Sequence, residues 1–160
     1  MPIELILALI SILLFSVMGI QDYRHCEVDA ILCYGVAAVS IAYAVLDQRW
    51  IHLKIIIVLT ILLALPFEIP IFGQADYCIF MHLIGAWTNR LGYFSELMFA
   101  GVFVLIGSAL YVILLRAFSK RGWKPFEGTP AIPCYAIPLP FMYLFIPTLS
   151  EAYIQWMFAI

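Results

Sequence analysis

From Leu5 to Gln21 the chain carries no charged side chain. A helix needs about 20 mainly apolar residues to cross the hydrocarbon core of a bilayer, so this stretch can leave water almost entirely. In lipid every backbone amide and carbonyl must find a partner inside the protein, which favours helices. Residues 3–21 and 28–46 both qualify as spans. Residues 51–67 qualify with Lys54 snorkelling to one edge and Pro66 stopping the helix. Residues 95–117 form the cleanest run after the first, whereas 76–88 is short and closes with Trp87, Asn89 and Arg90. That short run cannot face lipid along its whole length, so its start is expected in a protein-lined recess. Pro130, Pro133, Pro138 and Pro140 predict an extended approach to a last helix near 138–158, kinked at Pro147. The expected fold class is all-α: a polytopic membrane helix bundle with about six transmembrane helices, one of them short.

Composition supports that class and excludes others. The chain is 66% hydrophobic and 11% charged, against about 25% charged residues in soluble domains. One integral membrane domain is expected to use all of residues 1–160. The first twenty residues lack a basic leading region and a small-x-small cleavage site, which predicts a retained helix and not a removed signal. A formal net charge of −2 with only eight Lys and Arg offers no nucleic-acid-binding surface. Cys26, Cys33, Cys78 and Cys134 form no C-x-x-C pair, and with three scattered histidines they predict no metal site. They read as small apolar residues of the bundle.

Orientation follows from the basic residues. Arg116, Lys120, Arg121 and Lys124 make up half of all Lys and Arg and predict a cytoplasmic fifth loop. With six spans, parity puts the first and third loops on that side and both termini outside. The first loop is expected to carry Asp22 and the third Asp76.

Placing acids beside lipid costs free energy, so these two need a reason. Asp22 stands in Gly19-Ile-Gln-Asp-Tyr-Arg-His-Cys-Glu-Val-Asp29, at the end of the first span. An acid there opposes the helix dipole. The bland alternative is a solvated loop acid. Arg24 either pairs with Asp22 or marks the headgroup level, and Asp29 suits the N-cap of the second helix. Asp76 closes Ile71-Phe-Gly-Gln-Ala-Asp, where an N-cap role and a catalytic one are compatible. Gly73 permits a tight backbone that lets the loop dip inward. Two carboxylates on one predicted side suggest a pair that shares a proton, as in aspartyl proteases.

Taken together these motifs resemble the prepilin and preflagellin peptidases, membrane aspartyl proteases of bacteria and archaea. The first signature of that family is similar to Asp22-Tyr-Arg24-His-Cys-Glu-Val28-Asp29, and its G-x-G-D or G-x-A-D signature to Gly73-Gln-Ala-Asp76. Its basic loop and Ile-Pro-rich lead into the last helix resemble Lys120 to Pro140, with Ile132-Pro133 and Ile137-Pro138-Leu-Pro140. The likeness covers nearly the whole chain. It departs from the family at Cys78, where a Lys is common, and at Val28-Asp29, where a Pro-Asn step is common. The paired C-x-x-C motifs of members with a fused N-methyltransferase region are missing.

The resemblance implies an endopeptidase with catalytic Asp22 and Asp76 and no cofactor. Its partners are implied to be type IV pilin or archaellin precursors, cut at the cytoplasmic edge of the cell membrane just before their hydrophobic helix. Asp22, Glu27, Asp29, Glu68 and Asp76 against the lone Arg24 form an acidic mouth suited to a basic leader. Ordinary interfacial solvation is the plainer account of the extra acids. Gly73, Arg24, Glu27, Asp29 and Glu68 are the expected substrate-binding set. Phe67, Phe72, Tyr77 and Phe80 either touch the substrate helix or mark the membrane edge. Two other readings compete. A presenilin or signal-peptide-peptidase type protease also uses G-x-G-D, but its partner Asp lies deep within a span. A non-enzymatic channel, transporter or assembly subunit would use both acids for ions or structure, and a transporter would favour an internal repeat, of which no convincing one is seen.

Overall fold

A computed structural model describes residues 3–25, 28–64, 74–87, 95–118 and 132–158. These residues form helices α1 (Ile3–His25), α2 (Ala30–Leu46), α3 (Trp50–Ala64), α4 (Gln74–Ala86), α5 (Ser95–Phe118), α6 (Ile132–Ala136) and α7 (Leu139–Phe158). No strand occurs among the described residues. By length and composition, α1 and the stretch Glu96–Ile113 of α5 can cross a membrane, while α2, α3 and residues 76–86 of α4 are apolar but shorter.

Three boundaries differ from the sequence-based expectation, each for a local reason. First, α1 runs a full turn past residue 21, with Arg24 and His25 in its last turn, where cations suit the negative end of the helix dipole. Asp22 therefore lies inside a helix and not in the first loop. Second, α4 begins at Gln74, so Asp76 sits in its first turn and is not its N-cap. Third, the lead into the last helix is not extended where it is described. Ile132–Ala136 is helical, and residues 137–138 turn before α7. Pro133 and Pro140 each fall in the first turn of a helix, where a missing N–H forfeits no intrahelical bond. Pro147 lies inside α7.

The helix termini are tied by side chains and turns. Asp29 stands at the N-cap of α2 but makes no side-chain cap bond. Gln21 of α1 holds it instead: Gln21 Nε2 donates to Asp29 Oδ2 at 2.6 Å, and Asp29 N–H donates to Gln21 Oε1 at 3.3 Å. At the far end of α2, Gln48 takes a left-handed φ of 56°. Arg49 N–H then donates to Ala44 O at 2.8 Å, and the Arg49 guanidinium pairs with Asp47.

Packing fixes a register. Cys33 of α2 meets Cys78 of α4, thiol within hydrogen-bonding reach of thiol. Seven residues further along both helices, Gly85 lies against Ser40, where an added Cβ would come within 2.8 Å of the Ser40 carbonyl oxygen. Equal steps in the same direction show that α2 and α4 run parallel. Since α1 leads into α2 through a short connection, the start of α4 lies at the same end of the bundle as the end of α1. Gly107 of α5 plays the corresponding role for the last segment, since its Cβ would strike the Cys134 carbonyl and Pro138. Such small residues allow the close backbone approach that drives helix association where lipid removes the hydrophobic drive.

The fully buried side chains include Phe15, Met18, Ile56, Ile132, Leu139 and Met142. Hydroxyls that face inward are satisfied locally: Ser11, Ser40 and Ser108 each donate to the carbonyl four residues earlier. Large aliphatic residues point outward, among them Leu9, Leu13, Ile31, Leu105 and Leu144.

Candidate functional site

Among the described residues, Asp22 is the buried acid, 4% exposed. Its Oδ2 accepts the backbone N–H of Ile132 at 2.9 Å. That amide opens α6, and the first amides of a helix have no acceptor within it. The carboxylate thus anchors the start of α6 to the end of α1, across 110 positions of sequence. Gly19, one turn earlier, lets α6 lie close, with its Cβ position 3.4 Å from Ala136 Cβ.

Asp76 is half-buried in the first turn of α4, where a negative charge complements the helix dipole. The register places it relative to Asp22. Gln21 is level with Asp29 on α2, and Cys78 is level with Cys33. Counting along α2, Asp22 and Asp76 differ in height by about 5 Å, or roughly one helical turn. Deeper in the bundle, α1 and α4 touch through Phe15 and His82, whose ring centroids are 5.0 Å apart. The two acids therefore share one end of the bundle, about one turn apart in height, on helices whose side chains touch at Phe15 and His82.

Of the expected substrate-binding residues, Arg24 is exposed in the last turn of α1 and Asp29 is exposed at the start of α2. Asp29 joins Gln21, His25 and Val28 around a cavity of about 370 Å³ at this end. Gly73, Glu27 and Glu68 lie outside the described residues, as do Phe67 and Phe72. At the opposite end a cavity of about 760 Å³ is lined by Glu4, Asp47, Arg49 and Glu96 at its polar rim. Among the described residues no cluster of three or more His, Cys, Asp or Glu could hold a metal ion.

Between the two ends lies a group that the sequence reading left without a role. His82 is fully buried. Its Nδ1 is 2.6 Å from the Tyr135 hydroxyl, and its Nε2 is 2.9 Å from the Tyr143 hydroxyl. Trp87 Nε1–H donates to Tyr135 at 3.1 Å, and the Tyr43 hydroxyl donates to Tyr143 at 3.1 Å. Phe15 packs edge-on against both His82 and Tyr135. The indole can only donate, so the Tyr135 hydroxyl accepts from it. Each imidazole nitrogen faces one tyrosine hydroxyl, the protonated nitrogen donating to its partner and the bare nitrogen accepting from the other. The one available sequence signal was an ionisable residue within an apolar run. In comparisons with known proteins, the chain matches no family model, no curated protein and no solved structure.

Proposed function

We propose that this protein is a multi-pass membrane aspartyl endopeptidase of the prepilin and preflagellin peptidase type, with Asp22 and Asp76 as its catalytic pair. The observation that carries the reading is the arrangement of the two acids: one end of the bundle, about one turn apart in height, and Asp22 buried. A buried carboxylate calls for compensation, and here Ile132 N–H supplies part of it. Outward-facing Leu and Ile with inward-facing Ser and Gly support a bundle that sits in lipid, with six crossings if α6 and α7 form one broken span.

In the mechanism, the two carboxylates share one proton. The ionised member takes a proton from water as that water attacks the scissile carbonyl carbon, and the protonated member donates to the carbonyl oxygen. Collapse of the tetrahedral intermediate breaks the C–N bond, with the leaving amine taking up a proton. The backbone donor on Asp22 Oδ2 restrains that carboxylate's orientation. The cavity bordered by Asp29 lies at the same end and suits a Lys or Arg of a basic leader. The reading puts this end at the cytoplasmic face.

Co-expression with a precursor that carries a short basic leader before an apolar helix tests the proposal. Mass spectrometry of the product is expected to show a cut between leader and helix. A precursor set that remains intact beside abundant, membrane-inserted protein would contradict it.

A further inference from the structure

His82 has no part in the chemistry proposed above, yet it is the most fully engaged polar side chain described in the molecule. One account would make it a station on a proton path through the membrane. The chain of bonds argues against that: one of its ends is the Trp87 indole, which neither accepts nor readily releases a proton, so it offers no through route. A network of this kind is better suited to holding helices in place.

Its own helix carries Asp76, and one of the helices it bonds, α6, carries the amide that binds Asp22. His82 is on α4, six residues after Asp76, a rise of about 9 Å. Tyr135 is on α6, one turn after Ile132, whose N–H binds Asp22. Phe15, two turns before Asp22 on α1, fills the angle between the two rings at 5.0 and 4.8 Å. A slide of α6 along α4 would break the His82–Tyr135 bond and also draw Ile132 away from Asp22. We infer that His82 and Tyr135 form a positioning lock for the aspartate pair, fixing the height of α6 on α4 so that the Ile132 amide stays on Asp22 and the height of Asp22 relative to Asp76 is kept. This inference rests on the peptidase reading for its consequence in catalysis, though not for its structural content.

The two arms of the imidazole make the idea testable. Asparagine at position 82 sets its amide near Nδ1 and keeps an acceptor for Tyr135, whereas glutamine reaches the Nε2 position and keeps only the Tyr143 arm. Precursor cleavage by Tyr135→Phe and His82→Gln is expected to show kcat lowered about 10-fold or more with KM unchanged, since small misplacements of reacting groups are costly. His82→Asn is expected to retain most of the rate. Hydrogen–deuterium exchange of the membrane-inserted protein reads the lock without any substrate, and exchange at Ile132 is expected to quicken in Tyr135→Phe and His82→Gln but not in His82→Asn. Equal behaviour of the two amide variants at Ile132, or an unchanged amide in Tyr135→Phe, would overturn the lock. If the wild type cleaves no precursor while the exchange pattern appears as stated, the peptidase reading fails and the lock stands.

Discussion

The end that holds Asp22 and the centre that holds His82 solve the same problem in opposite ways. Both bring a titratable group into an apolar bundle, where an unsatisfied polar group is expensive. At the centre, partners from α2, α4, α6 and α7 surround the imidazole, and both of its nitrogens are engaged. At the end, Asp22 receives a backbone amide from a different helix, and Asp76 sits half-buried in a first turn. A polar network of this kind gives rigidity and one arrangement. At the rim, half-buried Asp76 is partly open to solvent, while buried Asp22 is held by the Ile132 amide. On the proposed reading, the contrast separates scaffold from chemistry.

The largest effects on activity are expected at the rim. Asp22→Ala and Asp76→Ala should each lower precursor cleavage by about 100-fold or more, the usual weight of a general acid or base. Protein abundance in membranes, followed by immunoblot, should hardly change for Asp76→Ala. The centre should behave in the reverse way. Tyr43→Phe removes the outermost hydroxyl of the network and should leave cleavage close to wild type, while the midpoint of thermal unfolding in detergent falls. The loss should be about 1 kcal/mol, as for an ordinary hydrogen bond. If Tyr43→Phe abolished cleavage without loss of stability, the division between the two regions would collapse.

Register is what joins them, and Gly85 tests it. Gly85→Val brings side-chain carbons onto the Ser40 backbone, so overpacking should destabilise the protein by about 1–3 kcal/mol. Gly101, whose added Cβ would meet nothing within 4 Å, is the matched control. Gly101→Ala should be neutral or slightly stabilising, since alanine is the better helix former by about 1 kcal/mol. The smallest effect belongs to Asp29. It is exposed, and its carboxylate bonds to Gln21 rather than capping α2. Asp29→Asn should shift stability by no more than about 0.5 kcal/mol. If the nearby cavity receives a basic leader, the same change should raise KM with kcat intact.

Apolar run length made α1 to α5 legible in the sequence to within a few residues, because a helix in lipid leaves few alternatives. The end of α1 was not legible. Asp22-Tyr-Arg-His reads as a polar loop, and only the amide of Ile132, far away in sequence, makes a buried helical Asp22 reasonable. The break between α6 and α7 was hidden for a related reason. Pro133, Pro138 and Pro140 announce irregularity, but not that two of them sit in first turns. Asp22 and Asp76 stood out as candidates because acids at span edges are rare. His82 did not, because its meaning lies in Tyr135 and Tyr143, 53 and 61 residues away. Tyrosines in an apolar chain are otherwise unremarked.

The central claim is that Asp22 and Asp76 act together on one peptide bond. Its most direct test is cleavage of a basic-leader precursor by the purified protein and by Asp22→Asn and Asp76→Asn, which remove the charge and keep the shape. Each variant should insert and melt like the wild type and release no leader. Leader release at the wild-type rate by either variant would contradict the account.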